Sequence, residues 1–250
     1  MTRNIGTALL KLVTLDVTNT LIKVAGSPGL HYASIGRKHG IHIEEDVLTG
    51  LFLKYYKHYS SKYPNFGAQN AMPSKVWWAL LVKDCFQSVD SRLTDDILDK
   101  VANDLYYHFT TPKAWEFLPG ALEAIKDLRQ YKVKLGVISN WDHRLYKVLL
   151  TMNMRHYFDF VLPSYVVGVE KPDSYIFQQA LKAANCLPEE SVHFGDSLKK
   201  DFIGAQDVGM GAYLLRTPGA DQTSIDQSLV VDCIADFVSA IRPRFHTHKS

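Results

Sequence analysis

The chain has few cysteines and no pattern among them. Its 250 residues include three, Cys85, Cys186 and Cys233, and no two of them form a CxxC pair. An odd number of widely spaced cysteines argues against a disulfide framework and favours a reducing compartment. We therefore expect a cytoplasmic protein, and the nucleus and mitochondrion stay open as alternatives.

Long apolar runs and a strong net charge are also missing. No segment approaches the ~18 apolar residues that a membrane span needs, and the N-terminal MTRNIGTALL is too short for a signal peptide. The formal charge of +2 is too weak a bias to predict binding to nucleic acid or to an anionic membrane. The sequence thus predicts neither partner, and it does not indicate the oligomeric state.

What the chain does contain is an alternation of strand-like and helix-like segments in its second half. The apolar runs KLGVIS, FDFVLPS, SVHFGD and GAYLLR are separated by helical patterns such as SYIFQQALKAANC. Short apolar runs between helices are typical of parallel strands that are buried on both faces. A similar run, Leu10 to Leu15, lies near the N-terminus. The pattern predicts an α/β fold with a doubly wound parallel sheet.

Between the first strand and the others lies a long helical block. From Leu30 to about Phe109 the periodicity is helical, with Gly40 at a predicted helix end. We interpret this block as an insertion into the α/β core. The predicted domains are therefore a core of residues 1–22 and 113–250 and a helical domain of residues 23–112.

Polar clusters follow four of the predicted strands. They read DVTNT, SN, EKPD and GDSLKKD in chain order. Ligands of open α/β sheets bind beyond the carboxyl ends of the strands, so these clusters are expected to meet. Each alone has an ordinary explanation as a helix cap, a turn or a helix entry. All four in this order on one frame are much harder to explain in that way.

The clusters contain the ligands that magnesium prefers. Mg²⁺ takes octahedral oxygen coordination, keeps several waters and often binds one or two carboxylates plus phosphate. Asp16 and Asp196 supply two carboxylates. Asp201, five residues beyond Asp196, is a candidate for a further ligand or for holding a metal-bound water. The sequence predicts a Mg²⁺ site made from these three residues.

The same clusters fit phosphoryl transfer. Attack by a carboxylate on an anionic phosphoryl group needs cationic charge nearby, which a divalent cation and an ammonium provide. Asp16 is the candidate nucleophile and Lys171 the ammonium, whereas Ser139 is placed to donate to a phosphoryl oxygen and Thr20 to fix the loop. The predicted intermediate is an aspartyl-phosphate that water hydrolyses.

These four motifs resemble those of the haloacid dehalogenase superfamily in type, order and spacing, and the resemblance covers almost the whole chain. It implies a Rossmann-like core, a helical cap inserted between the first two motifs, Mg²⁺, and phosphatase activity on a small phosphorylated metabolite. It also implies that the backbone carbonyl of Thr18 is a metal ligand and that Ser139 and Asn140 of the second motif lie at the substrate.

Thr18 departs from the family's phosphatases, which usually carry a second aspartate there as acid and base. A threonine hydroxyl has no charge change at neutral pH, and a positioned acid/base contributes about 10²–10⁴ in rate. The resemblance therefore implies slow turnover or an activated substrate. His143, just past SNWD, is a candidate replacement, although a surface helix position explains it as well.

Three functions stay open at this stage. The first is the Mg²⁺-dependent hydrolase just described. The second is a non-catalytic protein that binds a phosphorylated ligand or a partner through the same site, which Thr18 favours. The third is a dehalogenase or C–P bond hydrolase, which the acid pair Asp196 and Asp201 disfavours because it argues for a metal that dehalogenases do not use.

Overall fold

The computed structural model describes residues 8–245. Most of the N-terminal segment that is expected not to be a signal peptide therefore lies outside the described residues. Within residues 8–245, every helix is too short or too polar to cross a bilayer. The chain divides into two compact units, the first made of residues up to 23, 117–140 and 153 onward, and the second of residues 24–116 and 141–152.

The strands of the described chain are numbered in chain order. They are β1 Leu12–Leu15, β2 Ile22–Val24, β3 Trp115–Phe117, β4 Lys134–Ser139, β5 Phe160–Pro163, β6 Ser191–Gly195, β7 Gly211–Leu215 and β8 Val230–Val231.

The α-helices of the described chain are numbered in the same way. They are α1 Pro28–Lys38, α2 Glu45–Lys62, α3 Ser74–Gln87, α4 Asp95–His108, α5 Ala121–Leu128, α6 Leu145–Thr151, α7 Ser164–Val167, α8 Ser174–Ala184, α9 Gly204–Asp207 and α10 Ile234–Ile241.

The first unit is built on a six-stranded parallel sheet in the order β5-β4-β1-β6-β7-β8. All residues of β1 and β6 are buried, because helices cover both faces of such a sheet. The chain builds outward from β1 to β4 and β5 on one side and then to β6, β7 and β8 on the other. The order therefore reverses beside β1, and that is where doubly wound sheets bind ligands. The predicted α/β fold is confirmed.

The second unit is helical and has its own aromatic core. Trp77 and Tyr32 are almost fully buried, and the Tyr32 and Phe86 rings stack with centroids 6.2 Å apart. Helix α1 ends at Lys38, and Gly40 follows at φ +76°, as glycine readily does after a helix.

The two units differ from the predicted domains by residue 23 and residues 113–116 at the junctions, and more substantially in a later segment. Residues 141–152, which include α6, group with the helical unit although they follow β4 in the chain. A hydrogen bond from the Trp78 indole to Asp142 and one from Arg144 Nη1 to the Tyr106 carbonyl hold this segment there. Contacts between residues so distant in sequence leave no signal in local periodicity.

Candidate active site

The loop after β1 places the first carboxylate. Asp16 continues the strand pairing through its backbone N–H, which donates to the Phe194 carbonyl at 2.9 Å. The chain then turns tightly, because the Val17 carbonyl accepts from the backbone N–H groups of Leu21 and Ile22. Asn19 sits in this turn at φ +59°, a conformation that asparagine tolerates better than most residues.

Three donors hold the Asp16 carboxylate. Ser139 Oγ at the end of β4 donates to Oδ1 at 2.8 Å, and Lys171 Nζ donates to the same oxygen at 2.7 Å. Thr20 Oγ1 donates to Oδ2 at 3.3 Å. The second oxygen thus carries only one long hydrogen bond, so it keeps lone-pair capacity for another ligand.

The Lys171 ammonium is the one cation among these groups. Its three protons have three acceptors, namely Asp16 Oδ1 at 2.7 Å, Asp201 Oδ1 at 2.5 Å and the Ile138 carbonyl at 2.7 Å. Burial acts to lower the pKa of Lys171, but the Asp16 and Asp201 carboxylates outweigh burial and raise that pKa. The side chain is therefore held charged although it is only 2% exposed.

The side-chain amide of Asn140 forms two hydrogen bonds with the backbone of Lys171. Its Oδ1 accepts from the Lys171 N–H at 2.8 Å, and its Nδ2 donates to the Lys171 carbonyl at 3.0 Å. The sequence predicted this residue at the substrate. In the structure its side chain links the loop after β4 to the loop between α7 and α8 and so fixes the position of Lys171.

The segment after β6 forms a π-helix, Leu198–Ile203, that carries Asp201 inward. The backbone N–H of Ser197 donates to Asp201 Oδ2 at 2.9 Å. A Cβ on Gly195 would lie 2.3 Å from the Asp201 carboxyl carbon. Glycine at position 195 is therefore what allows this carboxylate to approach the strand end.

The acid pair and Asp16 form one cluster. Asp16, Asp196 and Asp201 each offer a carboxylate oxygen, and these atoms lie within 4.8 Å of one another. Burial, together with the charges of Asp16 and Asp201, raises the pKa of Asp196 to about 7. The carboxyl of Asp201 shows the opposite behaviour, because Lys171 and His193 hold its pKa below the usual range against the effect of burial.

The charges and the donor set fit a divalent cation. Three carboxylates lie beside a single ammonium, which donates to Asp16 and Asp201, and burial together with the charges of those two acids raises the pKa of Asp196. Hard oxygen ligands converging in this way suit Mg²⁺. Thr18, the fourth predicted ligand, is half-buried in the loop two residues beyond Asp16 and forms a bridge with Ile22. Its carbonyl as a metal ligand stays a prediction.

Two polar residues of the site were not found by sequence reasoning. His193 lies inside β6 and is fully buried, with Nε2 3.1 Å from Asp201 Oδ1. Its Nδ1 lies 2.8 Å from Thr14 Oγ1, and the two residues pair across β1 and β6. The available signal was a histidine and a threonine in strands whose other interior positions are apolar.

His143, the candidate replacement acid and base, belongs to the second unit. It is exposed, with Nδ1 3.3 Å from Ser74 Oγ and Nε2 3.3 Å from Tyr106 Oη. Both partners come from helices of that unit. Its role as acid and base stays a prediction.

Comparisons with known proteins agree with this geometry. Residues 10–209 match the family described as haloacid dehalogenase-like hydrolase. The haloacid dehalogenase-like hydrolase domain-containing protein 3 of Bos taurus is 34% identical over 234 residues, which cover 94% of this chain and 93% of the bovine protein. The segments PNFG, VWWALL and ISNWDHRL predict likeness to this protein in particular, and the comparison confirms that prediction.

Solved structures share the fold at lower identity. The HAD-hydrolase YfnB of Bacillus subtilis, solved bound to magnesium, superposes with a TM-score of 0.72 at 15% identity, covering 94% of this chain and 99% of YfnB. A HAD phosphatase of Thermococcus onnurineus has a TM-score of 0.61 at 20% identity, covering 93% of this chain and 98% of its own. From the matched residues and the bovine relative it follows that the chain belongs to the haloacid dehalogenase-like hydrolase family.

Proposed function

We propose that this protein is a Mg²⁺-dependent hydrolase that removes the phosphoryl group of a small phosphorylated metabolite through an aspartyl-phosphate on Asp16. The observation that supports this most is the meeting of Asp16, Lys171 and the acid pair Asp196 and Asp201 at one edge of the sheet. We expect the reaction to take place in the cytoplasm.

The residues that would hold Mg²⁺ are Asp16, Asp196 and Asp201, with the Thr18 carbonyl as a further ligand. When bound, the cation supplies positive charge against the carboxylates and the phosphoryl oxygens. The burial of Asp196 beside two other carboxylates, which raises its pKa, supports this assignment. Ser139 and Lys171, which donate to Asp16 in this structure, would bind inorganic phosphate or a phosphate ester by turning those hydrogen bonds toward its oxygens.

In the first step an Asp16 oxygen attacks phosphorus and the bond between phosphorus and the leaving oxygen breaks. Ser139 and Lys171 donate to the phosphoryl oxygens, and Thr20 and Asn140 hold Asp16 and Lys171 in place. The leaving oxygen needs a proton unless it is a weak base. In the second step water attacks the phosphorus of the aspartyl-phosphate, phosphate departs and the Asp16 carboxylate is restored.

Thr18 sets the rate in this proposal. It offers no proton at neutral pH, so the first step is slow for alcohols and faster for leaving groups that depart as stable anions. Activation of the water is unassisted as well, so the aspartyl-phosphate is long-lived. The protein is therefore expected to favour acyl and aryl phosphates over alkyl phosphates.

Trapping at Asp16 tests the proposal directly. The protein is incubated with Mg²⁺ and acetyl phosphate, the modified residue is located by mass spectrometry, and BeF₃⁻ binding is measured in parallel. A phosphorylated Asp16 that is absent without Mg²⁺ and in Asp16→Asn is the expected result. No adduct at Asp16 and no turnover of acyl or aryl phosphates with Mg²⁺ would refute the proposal.

The Thr18→Asp variant tests the explanation for slow turnover. We expect kcat on alkyl phosphates to rise by about 10²–10⁴, and kcat on aryl phosphates to rise less because their leaving groups need little protonation. Steady-state kinetics on a matched alkyl and aryl pair measures the difference. Thr18→Asn is the control, because asparagine has nearly the shape of aspartate but cannot act as an acid or base. An equal effect of the two variants would contradict the explanation.

A second candidate function rests on the same threonine. Without an acid and base the site is also suited to bind a phosphorylated ligand or a phosphorylated partner without turning it over. In that case wild-type protein binds Mg²⁺ and phosphate but forms no adduct at Asp16. Asp16→Asn would then leave the cellular role intact, whereas the hydrolase proposal requires it to abolish that role.

A further inference from the structure

His193 stands where an apolar residue is expected. It lies inside β6, is fully buried, and packs edge-on against the Phe177 ring with centroids 5.4 Å apart. A buried polar group costs about 1–3 kcal/mol unless its hydrogen bonds are satisfied. His193 has two partners, Thr14 and Asp201. Because both ring nitrogens of His193 have a partner, the imidazole is held in one orientation inside the sheet.

Thr14, His193 and Asp201 form a row of hydrogen-bonded side chains, and the donor in each hydrogen bond can be identified from its partner. Asp201 contacts the Lys171 ammonium and is therefore a carboxylate, which only accepts. The proton between His193 and Asp201 must then be on His193 Nε2. In the neutral ring Nδ1 is an acceptor, so the Thr14 hydroxyl donates to it at 2.8 Å. The alternative acceptor for that hydroxyl, the Val192 carbonyl, lies farther away at 3.4 Å.

The row decides which oxygen of Asp201 stays open. Oδ1 accepts from Lys171 and from His193, so both its lone-pair sites are used. Oδ2 accepts from the Ser197 backbone N–H and keeps one lone pair. Without His193 each oxygen would have one donor, and rotation of the carboxylate would exchange their roles at little cost.

We propose that His193, oriented by Thr14, is a positioning residue that fixes the Asp201 carboxylate so that the open lone pair of Oδ2 serves the cation and phosphate site. This inference rests on the proposed function, because it concerns the cation affinity of the same cluster. The hydrogen-bond partners of His193 are Thr14 and Asp201, so it has no direct role toward substrate or cation in this proposal. It acts through Asp201, as partners that orient metal ligands do in other proteins.

Two matched pairs of variants test the proposal. His193→Phe keeps a ring of similar size and removes both hydrogen bonds, whereas His193→Gln retains an N–H donor in reach of Asp201. Thr14→Val removes the hydroxyl at constant shape, and Thr14→Ser keeps it. The first measurement is the Mg²⁺ dissociation constant by calorimetry, with no substrate present. The second is the tautomer of the His193 imidazole, read from nitrogen chemical shifts.

We expect His193→Phe to weaken Mg²⁺ binding about 10–100-fold and His193→Gln to restore most of the loss. Thr14→Val should weaken binding less, and Thr14→Ser should bind as the wild type does. The wild-type ring should be the Nε2–H tautomer. Val192→Ala, which shortens a buried side chain of the same strand, is the control for general destabilisation and should leave the affinity unchanged.

Different results overturn different statements. If the wild type binds Mg²⁺ and folded His193→Phe binds it equally well, the inference is wrong and the proposed function stands. An Nδ1–H tautomer, or a folded His193→Gln variant no better than His193→Phe, also overturns the inference alone. Failure of the wild type to bind Mg²⁺ overturns the proposed function together with this inference.

Discussion

Each of the two units contains a buried ion pair, and the two pairs differ in how completely their charges are matched. In the helical unit the Asp142 carboxylate accepts from Arg144 Nε and Nη2, from the Arg144 backbone N–H and from the Trp78 indole. The Arg144 guanidinium lies over the rings of Trp78 and Tyr106, 4.8 and 4.2 Å from their centroids. The single negative charge of Asp142 is thus paired with the single positive charge of Arg144, and both groups are buried.

In the α/β unit the Lys171 ammonium pairs with Asp16 and Asp201, and a third carboxylate, that of Asp196, lies in the same cluster. The consequence appears in the pKa values of the acids. Burial raises the pKa of Asp142, but Arg144 outweighs that effect and lowers it, whereas nothing does the same for Asp196, whose pKa rises to about 7. A closed pair is what a structural role requires. Strongly perturbed pKa values cluster at functional sites, so the raised pKa of Asp196 supports the cation site proposed above.

The largest effect that distinguishes the two regions is the loss of a partner from the closed pair. Arg144→Met should lower the free energy of unfolding by about 3–5 kcal/mol, because Asp142 is left buried without a cation. Urea denaturation measures it. Arg216→Met, which breaks the exposed pair with Asp232, is the matched control and should cost at most about 1 kcal/mol. Equal effects of both variants would show that the buried pair is not special.

The second effect should have the opposite sign. Asp196→Asn removes one of the crowded carboxylates, so it should stabilise the metal-free protein at pH 8 by about 1–3 kcal/mol. The rise of the Asp196 pKa from 3.8 to about 7 sets an upper limit of ~4 kcal/mol, and partial solvation reduces it. The group binds its proton more tightly in the folded state, so its cost is absent below pH 4 and complete above pH 7.

Asp142→Asn is the control for that prediction. It changes the same functional group in the closed pair, where the carboxylate is stabilised, and should destabilise the protein at pH 8. Denaturation of both variants at pH 5 and pH 8 gives four numbers, and the gain for Asp196→Asn should shrink at pH 5. Destabilisation by Asp196→Asn at pH 8 would mean that the cluster is balanced without a cation.

The sequence predicted best the parts of the site that lie at strand ends. Asp16 and Asp196 directly follow β1 and β6, Ser139 is the last residue of β4, and an apolar run that ends in a polar residue is a local pattern. Lys171 lies beyond β5 and the short helix α7, and the EKPD motif identified it. Convergence then follows from the parallel sheet, since all carboxyl ends share one edge. The large central strands were found for the same reason, whereas the two-residue β8 carries too short a run to be recognised.

What the sequence could not give depends on contacts across the chain. The pairing of Thr14 with His193 requires the strand register, which no local pattern encodes. The position of Asn140 on the Lys171 backbone requires two loops to be neighbours. The grouping of residues 141–152 with the helical unit requires the contacts of Asp142 with Trp78 and of Arg144 with Tyr106 to be known, and DHR reads as an ordinary exposed helix start.

The smallest expected effect concerns how protons compete with magnesium at the unbalanced cluster. A proton on Asp196 must leave before that carboxylate binds a cation, so the apparent Mg²⁺ affinity should fall by up to about tenfold per pH unit below pH 7 and level off above pH 8. Calorimetry at pH 6, 7 and 8 in buffers of different ionisation enthalpy measures both the affinity and the protons released. Close to one proton per Mg²⁺ is expected at pH 6 and close to none above pH 8.

An affinity that is equal at pH 6 and pH 8 would mean that Asp196 is already ionised in the metal-free protein. The α/β cluster would then be as closed as the Asp142–Arg144 pair, and the charge argument for a cation would fail.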